Sequence, residues 1–181
     1  SYVIPGDAAR PDMQYKSISY VKTPEGEEPV YGTGSRASWS GQLQYIKVVF
    51  ANDGSGTSVY TKGYFYPRNQ FSYIKKGVAI KYKIGSGSLK DATDLVYGDA
   101  YNQTYMPLPS EAANSWQKSV YVGISDPVAP GENITFYIPY CHGNLVPADA
   151  AWEEFQKTDY FSTSMEFYAD RFTANIIETK N

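Results

Sequence analysis

The stretch FYIPYCHGN, residues 136–144, sets the chain's only cysteine beside its only histidine. A thiolate next to an imidazole is the equipment of a cysteine nucleophile, and both groups bind transition metals. At this spacing neither use is well served. Adjacent strand residues project to opposite faces, and a catalytic base needs a third group to orient it. A zinc site needs about four Cys, His or carboxylate ligands. Cys141 and His142 are therefore read as the end of a strand that Gly143-Asn144 terminates, with the thiol half-buried and the imidazole on the rim.

Calcium asks only for oxygen ligands. DATDLVYGD, residues 91–99, offers Asp91, Asp94 and Asp99 in one loop and is a candidate calcium site, although it lacks EF-hand spacing and would serve equally as a solvated acidic loop. EGEE, 25–28, reads as a wet turn. Other chemistries fit less well. Glu153 and Glu154 are neighbours on an expected helix and project about 100° apart, which is not the facing pair of a glycosidase. No G-x-S-x-G elbow occurs. GSGS at 85–88 lacks the lysine and following helix of a phosphate loop. The chain is not expected to be an enzyme.

Aromatic residues carry the remaining signal. They make up 16% of the chain, and 18 of its residues are tyrosine. Tyrosine suits strands and half-wet positions, where the ring is dry and the hydroxyl is solvated. In VYTKGYFYP, 59–67, Val59, Gly63 and Phe65 take the inner face. Tyr60, Tyr64 and Tyr66 take the outer face, together with Tyr45 and Tyr137 on other strands. Tyrosine outside, with little charge, makes a surface suited to being covered. Trp39, Trp116 and Trp152 fall in expected loops or short helices. They could stack on sugar rings, seat a neighbouring subunit or cap the ends of the core.

The elements that must position these groups have a period of two. VAIKYKI, 78–84, puts Val78, Ile80, Tyr82 and Ile84 on one face against Lys81 and Lys83. ENITFYIPY sets Ile134, Phe136, Ile138 and Tyr140 inward against Asn133, Thr135 and Tyr137. QLQYIKVVF alternates Ile46, Val48 and Phe50 with Tyr45 and Lys47. QKSVYVGI and RFTANII behave alike, the former with Val120, Val122 and Ile124 inward. This is the mark of antiparallel strands with one buried face. ANDGSGTS supplies a hairpin-type turn, and 85–105 reads as a long irregular stretch. Helix signals are limited to 109–116 and, with Pro147 and Asp149 at its start, 147–157. The expected architecture is all-β. A single domain over 1–181 would form a two-sheet antiparallel β-sandwich of jelly-roll type, with one or two short helices.

ENITFYIPYCHGN is similar to a strand end in jelly-roll coat proteins of small icosahedral viruses, where an alternating strand closes on a pair such as Pro139-Tyr140. That resemblance implies a capsid-type subunit that assembles with copies of itself or with other shell or filament subunits, in a virion or an extracellular assembly. The chain departs from many such proteins in having no basic N-terminal arm. VAPGENITFYI is equally similar to strand lead-ins of carbohydrate-binding and pilus-type modules, which implies a glycan-binding β-sandwich or lectin as the alternative.

Bulk composition bounds the partners. Charged residues are 19% and net charge is −3, with no basic stripe, so direct nucleic-acid binding is not expected. No apolar run is long enough to span a bilayer as a helix. No signal peptide is visible, and the chain starting at Ser1 reads as trimmed of its initiator or cut from a precursor. One cysteine allows no intrachain disulfide. Asn102 and Asn133 head N-x-T sequons, which matter only in a eukaryotic secretory pathway.

Overall fold

The computed structural model describes residues 9–29, 43–67, 72–98, 116–142, 161–169 and 172–180. For residues 67, 72, 116 and 142 and for the last two segments it describes the backbone. Among the described residues, twelve strands form two antiparallel sheets. In the first, β1 (Met13–Val21) pairs with β2 (Gln44–Asn52), and β2 with β10 (Asn133–His142). The far edge of β10 is shared. Its first half pairs with β5 (Lys81–Ile84) and its last residues with β4 (Ser72–Lys75). β6 (Lys90–Asp91) extends β5, and β8 (Trp116–Gln117) extends β4. The second sheet runs β12 (Phe172–Lys180), β11 (Phe161–Ala169), β3 (Tyr60–Pro67), β9 (Val120–Ile124), β7 (Asp94–Tyr97).

The alternation read from the sequence builds the core. Ile46, Val48 and Phe50 of β2 and Ile134, Phe136, Ile138 and Tyr140 of β10 are buried from one sheet. Phe65 of β3 and Val120, Val122 and Ile124 of β9 are buried from the other. Phe65 and Phe136 meet across the interior at 5.1 Å between centroids, a tilted geometry that suits aromatic quadrupoles.

The all-β, two-sheet expectation holds for the described residues, which contain no helix. The stretches expected to be helical lie outside them, except that Trp116 opens β8. Chain neighbours pair within one sheet at both ends, β1 with β2 and β11 with β12. The strand order therefore does not by itself yield jelly-roll winding.

Several local expectations are corrected. The stretch read as irregular from 85 contains β6 and β7. The strand expected over 78–84 is regular only from Lys81, and Val59 lies outside β3 at 47% exposure. The largest correction concerns β10. Thr135 and Tyr137, expected to be wet, are 5% and 0% exposed. β10 lies inside its sheet, and the segment after β1 lies against its outer face, where Tyr137 donates a hydrogen bond to Glu27. An interior strand covered on both sides buries both of its alternating sets. Cys141 is buried as well, opposite Tyr73, so it is not placed to form a bond between subunits. His142 ends the strand opposite Ser72.

The links between strands are tied by one side chain. Asn52 is fully buried at the end of β2. Its Oδ1 accepts from the backbone N–H of Asp12 and of Gly54, both at 3.0 Å. Its Nδ2 donates to the carbonyls of Gly56 and Val128, both at 2.9 Å. Three separate chain segments are thereby satisfied by a single amide. Gly54 permits the approach, since a Cβ there would stand 2.2 Å from the Arg10 carbonyl oxygen.

Candidate functional site

The outer face of the five-stranded sheet gathers the tyrosines. β3 buries Thr61 and Phe65, so alternation sends Tyr60, Lys62, Tyr64 and Tyr66 to the opposite side, half-buried. Register then supplies the neighbours. Tyr121 of β9 lies opposite Tyr64, and Val96 of β7 lies opposite Tyr121. The Tyr64 and Tyr121 rings stack at 4.3 Å with a 31° tilt, and Tyr64 and Tyr66 lie at 5.2 Å and 36°. The result is a cluster of three rings on the outer face of the sheet. Tyr121 is 38% exposed and Val96 60%.

Polar groups edge this cluster. The Lys62 ammonium lies 4.9 Å from the centroid of Tyr121, within cation–π range. Tyr60 donates a 2.9 Å hydrogen bond to Asp94 Oδ2. Gly123, opposite Asp94 on one side and Lys62 on the other, makes room for that bond. A Cβ there would come within 2.2 Å of both the Asp94 carboxylate and the Tyr60 hydroxyl. Chemically this is a stacking surface with an ammonium and a hydrogen-bonded phenol–carboxylate pair at its margin.

The structure divides the expected site residues. Tyr60, Tyr64 and Tyr66 come together on this face. Tyr45 lies half-buried on the other sheet, and Tyr137 is interior. Trp116 is placed by its backbone opposite Lys75, while Trp39 and Trp152 lie outside the described residues. The candidate calcium ligands do not converge. Asp91 pairs with Lys81 in one sheet, and Asp94 is bonded to Tyr60 in the other. Asp99 lies outside the described residues, among which no group of three metal-binding side chains occurs. Tyr121 and Lys62 were not singled out from the sequence, although the alternation that buries Val120 and Val122 already turns Tyr121 outward.

Glu27 corrects the wet-turn reading of EGEE. It lies over the outer face of the seven-stranded sheet, with Oε1 on Lys47 and Oε2 on Lys83 and Tyr137. Partial burial alone would raise its carboxyl, but hydrogen bonds from Lys47, Tyr137 and Lys83 outweigh that and bring it from 4.5 to about 2. Burial, then the bond to Glu27, pushes the Tyr137 phenol up. A depressed carboxyl stabilises the fold above its unfolded pKa and loses that contribution as pH falls through its folded value. Between about pH 4.5 and 2 the chain should therefore lose on the order of 1–2 kcal/mol that Glu27→Gln does not lose, after allowance for solvent screening. Urea midpoints of the two proteins across that window check this, and parallel curves would refute it.

No family model and no curated protein matches the sequence. Solved structures resemble it distantly. They include the collagen binding subdomain of the Enterococcus faecalis surface protein ACE (5% identity, 77% of this chain and 84% of that one, TM-score 0.42). A collagen-binding domain from a Staphylococcus aureus adhesin aligns at 6% identity over 92% and 95%, TM-score 0.39. The CBM3a-L domain of scaffoldin cipA from the Clostridium thermocellum cellulosome aligns at 11% over 89% and 87%, TM-score 0.32.

Proposed function

We propose that this chain is a binding module rather than an enzyme, and that the tyrosine face of the five-stranded sheet takes a carbohydrate chain. The observation that carries the reading is the ring cluster Tyr66–Tyr64–Tyr121, partly open to solvent on the outer face of the sheet. The C–H groups on one face of a sugar ring meet the negative face of an aromatic ring, while hydroxyls around the sugar's rim find the phenols and Lys62. An extracellular setting goes with such a role.

Tyr121→Ala should weaken binding about tenfold, the loss of one stacked ring at about 1–1.5 kcal/mol. Tyr45→Ala, on the other sheet, should leave it unchanged. Retention on insoluble β-glucan and chitin, and affinity electrophoresis in neutral and acidic soluble polysaccharides, provide the measurement. The reading fails if no glycan retains the wild type, or if Tyr121→Ala binds as well. The self-assembling subunit draws on the same exposed Tyr121 and Val96. It predicts instead a concentration-dependent mass in sedimentation that Tyr121→Ala abolishes.

A further inference from the structure

Among the described residues, Glu27 is the one non-glycine with a left-handed backbone, at φ 50°. Such a conformation costs free energy for a residue with a Cβ, and it gathers at ligand clamps and switch regions. Glycine would take it freely, and Gly26 stands one position earlier. The strain thus falls on the residue whose carboxylate has a role. The turn that presents it is closed by Glu27 N–H to the Thr23 carbonyl at 2.9 Å and Gly26 N–H to Thr23 Oγ1 at 3.1 Å.

The receiving side is supplied by strands distant in sequence from Glu27. Lys47, Tyr137 and Lys83 stand on three neighbouring strands, β2, β10 and β5. Register places Tyr137 opposite Lys47 and Thr135 opposite Lys83. Two ammonium groups and a fully buried phenol, whose hydroxyl reaches the face, converge on one point. Both oxygens are engaged, Oε1 by Lys47 and Oε2 by Lys83 at 3.2 Å and by Tyr137. Lys47, Lys83 and Glu27 keep between 25% and 30% side-chain exposure, so the site is reachable from solvent. Lys81, two residues before Lys83 on β5, is taken by Asp91.

We propose that Lys47, Lys83 and Tyr137 form a carboxylate-binding site, and that Glu27 is its intramolecular occupant, exchangeable for a ligand's carboxylate. The chemistry fits a planar anion with two acceptor oxygens, whether on an acidic side chain or on an acidic sugar. The site is on the opposite sheet from the tyrosine cluster and stands independently of it.

Glu27→Gly is the informative variant, because glycine accepts the left-handed turn without strain and leaves the site vacant. Glu27→Ala is run beside it. Full-chain protein is melted in increasing sodium acetate, with sodium chloride at matched ionic strength as control. The expected result is a saturable rise in Tm of several degrees with acetate over chloride in Glu27→Gly, a smaller rise that needs more acetate in the wild type, where Glu27 competes, and none in Glu27→Gly carrying Lys47→Met and Lys83→Met. Glucuronate and N-acetylaspartate then separate a sugar source from a peptide source. A variant that folds only with acetate supports the site equally. Equal response to acetate and chloride, a response that survives loss of both lysines, or a variant folded in neither salt overturns the proposal.

Discussion

Asn52→Ala is expected to lower unfolding free energy by roughly 3–4 kcal/mol, among the largest single-residue losses available in this chain. The deleted amide strands the N–H groups of Asp12 and Gly54 and the carbonyl of Gly56, and leaves the Val128 carbonyl with the Ser58 N–H alone. Each buried group so stranded costs about 1–3 kcal/mol, less where water enters. Asn52→Asp separates hydrogen bonding from size. It keeps the acceptor but turns a carboxylate toward two carbonyl oxygens at a site with no solvent exposure. Burial beside those dipoles raises the carboxyl's pKa. A raised carboxyl destabilises most at high pH, so Asn52→Asp should recover part of its loss on acidification. Urea denaturation of both variants at pH 7 and pH 5 is the check. A loss under about 1 kcal/mol for Asn52→Ala would mean that the three segments are not joined as described.

Phe136→Ala should cost about 3–5 kcal/mol, with Phe136→Leu under about 1.5 kcal/mol. Phe136 is fully buried on β10 and meets Phe65 of the opposite sheet. Its deletion opens a cavity where the two sheets touch. β10 is paired along both edges, with β2 on one side and β4 and β5 on the other, so little backbone movement is open to it to close the gap. Chemical denaturation should show an earlier midpoint with the slope retained. A double cycle with Phe65→Ala should show coupling, since the two rings share one space. Additive losses would place the rings in separate parts of the core.

The strands that alternate without interruption were legible. In β2 and β9, apolar residues at every second position named the inner face, and the buried sets match it; in β10 the named set is buried, but Thr135 and Tyr137 of the other set are buried with it. β1 was not legible. Its register shifts between Tyr15 and Ser17, and one extra residue at Lys16 breaks a period of two into fragments too short to recognise. β7 is only four residues long, which leaves too little pattern to set it apart from a loop.

Alternation along one strand depends on backbone geometry alone, so the strand character of the described residues and the parity of their side chains, Tyr60, Tyr64 and Tyr66 included, were readable from residue order. What lies beyond an outer face is a matter of other segments, and only the tertiary structure decided that. Tyr137 has the parity of a wet residue and is buried because Glu27, 110 positions earlier, lies on it. Tyr64 and Tyr121 became neighbours through the pairing of β3 with β9. Asp91 and Asp94, three residues apart, went to different sheets. Parity is a local property, whereas register and cover arise from contacts between residues far apart in the chain, and nothing in a period of two encodes them.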